Sequence, residues 1–324
     1  MLKNDIFNIG SSEEFLRRAL DVFRFQYENV QVYRNFCDLL RCEPTKVKSI
    51  EEIPFLPIQF FKTHTIIVEG MEPEITFTSS GTTGMITSNH LVGDLKIYEK
   101  SFHKGFLREY GFPNDYAILA LLPSYLEREG SSLIYMVESL IKDSHNPHSG
   151  FYLDEMDSLI QKLDFLERKG QKSLLLGVSY ALLDLIEMKN FKLKHTLVME
   201  TGGMKGRRKE MIKEELHEVL KNGFGVGKIH SEYGMTELLS QAYSKGDGVF
   251  SCPPWMKILT RDPEDAKTYI TQKTGGINVV DLANLYSCSF IATQDLGKVN
   301  MDGTVEIMGR FDSSDIRGCN LMVL

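Results

Sequence analysis

The sequence predicts an α/β protein with layered sheets, followed by a smaller β-rich subdomain. Three observations carry that prediction. Between residues 116 and 230, short apolar runs alternate with longer stretches of helical periodicity. This is the pattern of strands joined through helices in at least partly parallel sheets. From about Phe250 the texture changes to short strand-like segments with turn signals between them. At 324 residues the chain has room for one large or two ordinary domains. The expected division is residues 1–249 for the α/β core and 250–324 for the β-rich part, which ends in a short tail carrying Cys319.

The elements follow in order. Residues 12–43 have apolar positions at helical spacing behind Ser12 as N-cap, which predicts a helix. IPFLPIQFFKT, residues 53–63, is apolar and contains two prolines that bar regular helix, so it is expected to be extended and buried. A strand at 75–79 leads into a hydroxyl-rich loop. A helix from about Gly93 to Tyr110 repeats Leu95, Tyr98, Phe102 and Phe106 on one face. Strands are expected at 116–123, 172–179 and 195–203, with helices at 131–142, 180–190 and 207–222 between and after them. Gly223 to Gly227 reads as a helix C-cap and connecting turn. A short strand then enters GKIHSEYGMTE. Further strands are expected within 255–261, 275–284, 289–299 and 303–312.

Composition narrows the function. Hydrophobic residues make up 42% and charged residues 25%, as in a globular protein, and no basic run accompanies the net charge of −7. That balance argues against nucleic acid as the partner. No apolar run reaches the length of a membrane span, and acidic residues near the N-terminus interrupt any signal-peptide pattern. The cysteines, Cys37, Cys42, Cys252, Cys288 and Cys319, are odd in number, scattered and without a CxxC pair. A disulfide framework and a zinc site are therefore not expected, and a reduced, cytoplasmic setting is. His145 and His148 have a spacing that suits a metal or simply a polar loop.

The run Thr78-Ser79-Ser80-Gly81-Thr82-Thr83-Gly84 holds hydroxyls and glycines between a strand and a helix. Such a run suits an ordinary turn, or a concavity of backbone N–H groups that cradles an oxyanion. No lysine stands where a Walker A loop needs one. The Gly223–Gly227 run leaves a helix and enters a strand, the reverse of a dinucleotide fingerprint.

SSGTTG resembles the phosphate loop of the adenylate-forming superfamily, which includes acyl-CoA synthetases and luciferase-type ligases. Further resemblances follow in that superfamily's order. Glu200-Thr201-Gly202-Gly203 resembles the strand and glycine turn beside the adenine. Tyr233-Gly234-Met235-Thr236-Glu237 matches YGxTE. Thr293-Gln294-Asp295-Leu296-Gly297 resembles the ribose motif, and Gly309-Arg310-Phe311-Asp312 the GRxD at the hinge. Nearly the whole chain from about residue 10, including IPFLPIQFFKTHTI, TGGMKGRR and the terminal RGCNL, is similar to the acyl-protein synthetases. These are the fatty-acid-activating components of the bacterial bioluminescence reductase complex.

The resemblance implies the large N-terminal domain of the adenylate-forming superfamily, with ATP and Mg²⁺ as cofactors and a fatty or other hydrophobic acid as substrate. Thr78, Ser79, Ser80, Gly81, Thr82, Thr83 and Gly84 would hold the β- and γ-phosphates, Thr236 the α-phosphate and Glu237 the Mg²⁺. Tyr233 and Gly234, with Gly202 and Gly203, would flank the adenine. Asp295 would accept hydrogen bonds from the ribose, with Arg310 assisting. The superfamily's small C-terminal lid domain, with its adenylation lysine, is expected to be absent, since the sequence stops at Leu324. Which lysine, if any, replaces that one is open.

The family keeps its acyl group on a cysteine near the C-terminus, where this sequence has Cys319 behind Arg317 and Gly318. An adjacent cation favours thiolate, the nucleophilic form; a sulfur packed into a final strand is the other reading. His230 is a secondary candidate for the acyl pocket. Lys205, Arg207 and Arg208 either draw in phosphate or sit in a solvated helical turn. Three functions stay open at this point. The chain could activate an acid, acylate its own Cys319 and pass the group to a reductase partner. It could instead acylate CoA or a carrier-protein thiol. Or it could bind nucleotide as a subunit of a homo- or hetero-oligomer.

Overall fold

A computed structural model describes residues 2–79, 86–123, 130–203, 208, 209, 211–265 and 267–310, the side chains of Asn4 and Arg310 excepted. The chain divides into two compact units that interleave along the sequence. One comprises the residues up to Ser101, Thr236–Ser240 and those from Ser251 onward; the other comprises Phe102–Met235 and Gln241–Phe250.

The unit built on Phe102–Met235 is the α/β part. Strands Ala117–Leu121, Ser173–Val178, Thr196–Thr201 and His230–Tyr233 run parallel side by side, with Leu119 opposite Leu175, Leu175 opposite Val198 and Met199 opposite His230. Gly150–Phe151 adds a parallel strand beyond Ala117–Leu121, and Ala242–Ser244 pairs antiparallel with His230–Tyr233. The sequences AILAL and SLLLGV are continuous apolar runs because both faces of these strands are buried. Helices Ser132–Ser144, Met156–Lys169, Ser179–Met188 and Lys213–Phe224 lie between the strands in sequence. Ser131 caps the first through its hydroxyl.

Two details depart from the sequence-based expectation. Helix Met156–Lys169 was not foreseen, because only Leu159, Leu163 and Leu166 form its buried stripe amid charged neighbours. The helix expected over 207–222 begins at Lys213 and ends as expected at a glycine. Gly225 is left-handed at φ +67, and its N–H donates to the Lys221 carbonyl at 2.9 Å. A Cβ there would lie 2.7 Å from the Phe191 carbonyl oxygen. Gly225→Ala should therefore cost about 1–3 kcal/mol, read as a lower urea midpoint. An unchanged midpoint would show that both the backbone and the Phe191 carbonyl yield freely.

The other unit has a β-sheet meander. Met256–Arg261, Gly275–Asp281, Phe290–Val299 and Val305–Arg310 pair antiparallel in that order, and Tyr269–Ile270 flanks Met256–Arg261. Leu56–Pro57 joins Phe290–Val299 in parallel, so the proline-punctuated segment is extended where expected. It turns helical only at Phe60–Thr63, past both prolines. The helix expected over 12–43 is instead two, Ser12–Asn29 and Gln31–Leu39, broken at Val30 where the backbone is extended. Ser11, not Ser12, is the cap: its hydroxyl accepts from the Glu14 N–H at 3.2 Å. Phe23, Tyr33, Phe55 and Phe290 form an aromatic core between these helices and the sheet. A separate hairpin, Ile75–Thr78 with Asn89–Val92, stands at the root of the hydroxyl-rich run.

Candidate active site

In the meander unit, Thr78 ends its strand opposite Asn89. Ser79 closes the hairpin at its open end: its N–H donates to the Ser88 carbonyl at 3.1 Å, and its hydroxyl accepts from the Ser88 N–H at 2.8 Å. The residues predicted to hold phosphate beyond it, Ser80, Gly81, Thr82, Thr83 and Gly84, lie outside the described residues, as do Lys205, Arg207, Arg317, Gly318 and Cys319.

The segment Thr236–Ser240 is held at four of its five positions by side chains distant in sequence. His90 Nδ1 meets the Thr236 carbonyl at 2.7 Å, and Asn284 Nδ2 donates to the Glu237 carbonyl at 2.7 Å. Asp281 accepts from the Leu239 N–H at 2.7 Å and from the Ser240 hydroxyl at 2.5 Å. The Trp255 indole N–H adds a bond to Ser240 Oγ at 3.0 Å. Glu237 is buried and Thr236 half-buried. Burial pushes the Asp281 carboxyl up to about 6 against the four hydrogen bonds that favour its charged form.

The two motifs expected to form a ribose site meet across a strand pair. Asp295 lies directly opposite Arg310 in the antiparallel register. Thr293 orders the approach: its hydroxyl accepts from the Asp295 N–H at 3.1 Å, and its carbonyl accepts from Arg261 Nη2 at 2.6 Å.

The α/β unit holds the other predicted residues. Gly202 follows strand Thr196–Thr201 at φ +67, a conformation that favours glycine, and its carbonyl accepts from the Ser179 hydroxyl at 3.1 Å. Among the described residues, a Cβ at Gly203 would meet nothing within 4 Å. Tyr233 ends its strand, edge-on to Phe250 with ring centroids 6.2 Å apart, and Gly234 follows. His230 packs against Tyr110, 3.3 Å from its hydroxyl, and burial lowers it to about 4. Arg208 is committed elsewhere: it clamps Asp184 and Glu187 of helix Ser179–Met188. His145 ends helix Ser132–Ser144 in a left-handed turn, and the ring of His148 lies 5.2 Å from that of Phe165. Among the described residues no cluster of three or more His, Cys, Asp and Glu forms a metal site.

Under the glycine turn lies a polar cluster that sequence reading missed. Glu200, almost wholly buried, takes Lys213 Nζ at 2.6 Å and His217 Nε2 at 3.4 Å. Burial pushes its carboxyl up, but His217, Lys213 and Ser231 together hold it down to about 2. Glu232 accepts from the Thr201 hydroxyl, and burial, with the Glu200 charge adding to it, raises it to about 7. Asp281 and Asn284 did carry a signal, lone polar residues in the apolar run INVVDLANLY, since a buried polar group must find a partner; Glu200, Glu232, His217 and His90 sit among other polar residues and carried none.

The four described cysteines are free, and burial raises the pKa of each; Cys252 and Cys288 are pushed up to about 12. Cys288, which an apolar-strand reading of the sequence would place in a strand, lies just before strand Phe290–Val299. No described helix is long and apolar enough to cross a membrane.

Comparison with known proteins agrees with this architecture. A long-chain-fatty-acid–luciferin-component ligase of Vibrio harveyi is 22% identical over 327 residues, covering 94% of this chain and 86% of the relative. The enzyme of the same name from Photorhabdus luminescens is 37% identical over 68 residues, 21% of this chain and 58% of that one. Among solved structures, an open conformation of 2-hydroxyisobutyryl-CoA ligase in complex with 2-HIB-AMP and CoA superposes with a TM-score of 0.67 at 14% identity, over 93% of this chain and 70% of that one. ATP-bound MatB from Rhodopseudomonas palustris gives 0.54 at 20% identity over 72% of this chain, which spans only 47% of MatB's length. At such identities these two likenesses speak to the fold. The family model for acyl-protein synthetase, LuxE, matches residues 10–324. The chain belongs to that family, and it is an acid-activating ligase on the adenylate-forming fold.

Proposed function

We propose that this chain uses Mg²⁺ and ATP to convert a fatty or other hydrophobic carboxylic acid into an acyl-adenylate. It then moves the acyl group to its own Cys319 and delivers it to a partner such as an acyl reductase. The family match through residue 324, which runs across every motif and includes Cys319, carries the reading. The two relatives are long-chain-fatty-acid–luciferin-component ligases, which supports a long-chain fatty acid as the substrate.

The chemistry assigns each group a task. A carboxylate oxygen attacks the α-phosphorus, the bond to the β-phosphate oxygen breaks, and pyrophosphate leaves. The thiolate of Cys319 then attacks the acyl carbonyl of this mixed anhydride, forming a thioester and expelling AMP. The hydroxyls and N–H groups of Thr78, Ser79, Ser80, Gly81, Thr82, Thr83 and Gly84 hold the outer phosphates while the carboxylate approaches. Thr236 meets the α-phosphate. Glu237 holds Mg²⁺, which neutralises phosphate charge when bound; a buried carboxylate on a braced segment fits a hard cation. Gly202, Gly203, Tyr233 and Gly234 border the adenine, and Asp295 with Arg310 the ribose. Supporting a role for the tail thiol, all four described sulfurs are held in the protonated form by burial.

Intact-mass measurement after incubation with Mg·ATP and mixed fatty acids tests this directly. The wild type should gain a hydroxylamine-labile acyl mass that identifies the acid, and Cys319→Ser should gain none while still exchanging pyrophosphate into ATP. Pyrophosphate release with no adduct on either protein would move the acceptor to CoA or a carrier-protein thiol. Neither signal would leave a nucleotide-binding subunit.

A further inference from the structure

We propose that His90 and Asn284 are positioning residues: they brace the backbone of Thr236 and Glu237 and tie it to the hairpin that carries the phosphate loop. The proposal rests on the acid-activating reading above and adds to it a device no motif announces.

The geometry is a chain of three contacts. His90 lies on the returning strand of the hairpin, two residues after Ser88, which closes the hairpin on Ser79. Its Nδ1 is 2.7 Å from the Thr236 carbonyl and its Nε2 is 2.8 Å from Asn284 Oδ1. The amide nitrogen of Asn284 then reaches the Glu237 carbonyl at 2.7 Å. His90 and Asn284 have no solvent exposure, and the bonds from Asn284 to His90 and to the Glu237 carbonyl are buried, where no water competes. Phe61 packs edge-on to the imidazole at 5.6 Å and fixes the ring plane.

Asn284 is itself anchored. Gln26, buried in helix Ser12–Asn29, donates to the Asn284 and Leu285 carbonyls, both at 2.9 Å, and accepts from the Ser289 N–H at 2.9 Å. Asp281, three residues before Asn284, grips Leu239 and Ser240. The segment that offers Thr236 and Glu237 is thus clamped by its carbonyls at one end and by its N–H and hydroxyl at the other. Small displacements of such a segment are costly, since a misplacement of about 1 Å can lower a rate about a hundredfold.

The imidazole imposes a choice. Burial holds it neutral, with its pKa lowered to about 4. A neutral ring carries one N–H, so it donates either to the Thr236 carbonyl or to Asn284 Oδ1. Asparagine at this position supplies a donor near the place of Nδ1, and glutamine one near Nε2. His90→Asn and His90→Gln therefore keep one bond each.

The experiment compares His90→Ala, His90→Asn, His90→Gln and Asn284→Ala with the wild type in acid-dependent ATP–pyrophosphate exchange and in the rise of the unfolding temperature caused by Mg·ATP. His90→Ala and Asn284→Ala should lose at least about tenfold in kcat/KM for Mg·ATP, with the KM for the acid unchanged. One of the two conservative variants should recover to within about threefold of wild type. A purely structural role would lower the unfolding temperature without this split between substrates and without selective rescue. If His90→Ala or Asn284→Ala does not fold, the two conservative variants decide. Equal nucleotide kinetics in all folded variants, or rescue by neither, overturns the inference and leaves the functional reading intact. Should the wild type show no exchange, that reading fails, and the Mg·ATP shift decides: lost in His90→Ala it supports the brace, retained it overturns it. No shift in the wild type would sink both.

Discussion

Glu237→Gln is expected to slow acid-dependent ATP–pyrophosphate exchange about a hundredfold, the usual effect of removing one charge from a preorganised electrostatic site. The substitution keeps the volume and the backbone bond, since Asn284 grips the Glu237 carbonyl and not its carboxylate. What it removes is the negative charge, and a neutral amide is a poorer partner for a hard divalent cation. The Mg²⁺ concentration giving half-maximal exchange should therefore rise with the loss in rate, while the KM for the acid stays put. Titrating Mg²⁺ at saturating ATP and acid checks both. Exchange within about threefold of wild type at every Mg²⁺ concentration would remove Glu237 from the phosphate chemistry.

Lys213→Met should destabilise the α/β unit by about 3–5 kcal/mol, because it strips a nearly buried carboxylate of the lysine it pairs with. Glu200→Gln should cost less, about 1–3 kcal/mol, since Lys213 keeps a path to solvent. Denaturant midpoints of the two variants give the order. The pH dependence carries a sign for each carboxyl. Glu200 titrates at about 2 in the folded chain against 4.5 unfolded, so the unfolded state binds the proton first. Its contribution is present above 4.5 and is lost as pH falls towards 2. Glu232 titrates at about 7 against 4.5, so the folded state holds the proton longer. Its contribution is present below 4.5 and declines as pH rises through 7. Glu232→Gln should flatten the stability profile between those values; an unaltered slope there would mean that Glu232 ionises as it does in the unfolded chain.

Much of the fold could be read ahead because its signals are local. AILAL and SLLLGV announce buried parallel strands by composition alone, and Gly225 announces a helix end by its place after an apolar stripe. The break at Val30 carried no such sign: a β-branched residue between two helical patterns looks continuous until the two helices pack separately. The candidate site residues were named from an ordered set of motifs, and two of them, Asp295 and Arg310, lie opposite each other across a strand pair. The brace was not legible. His90 and Asn284 are 194 positions apart, and nothing in SNHLV or VVDLAN says that an imidazole and an amide will share a backbone segment between them. Sequence shows that a buried polar group needs a partner and leaves open which one.

Gln26 and Ser289 are separated by 263 positions, yet each holds the other's backbone or side chain in the turn that carries Asn284. A ribosome adding about 5–20 residues per second would need roughly 13–50 s to bring the second group into being after the first. Through that interval Phe23, on the buried face of helix Ser12–Asn29, lacks the Phe290 ring it packs against. Helix Ser12–Asn29 thus waits for strand Phe290–Val299 while the residues between them are made. The segment Thr236–Ser240 likewise gains its bonds to Asp281 and Asn284 only once those later residues are made.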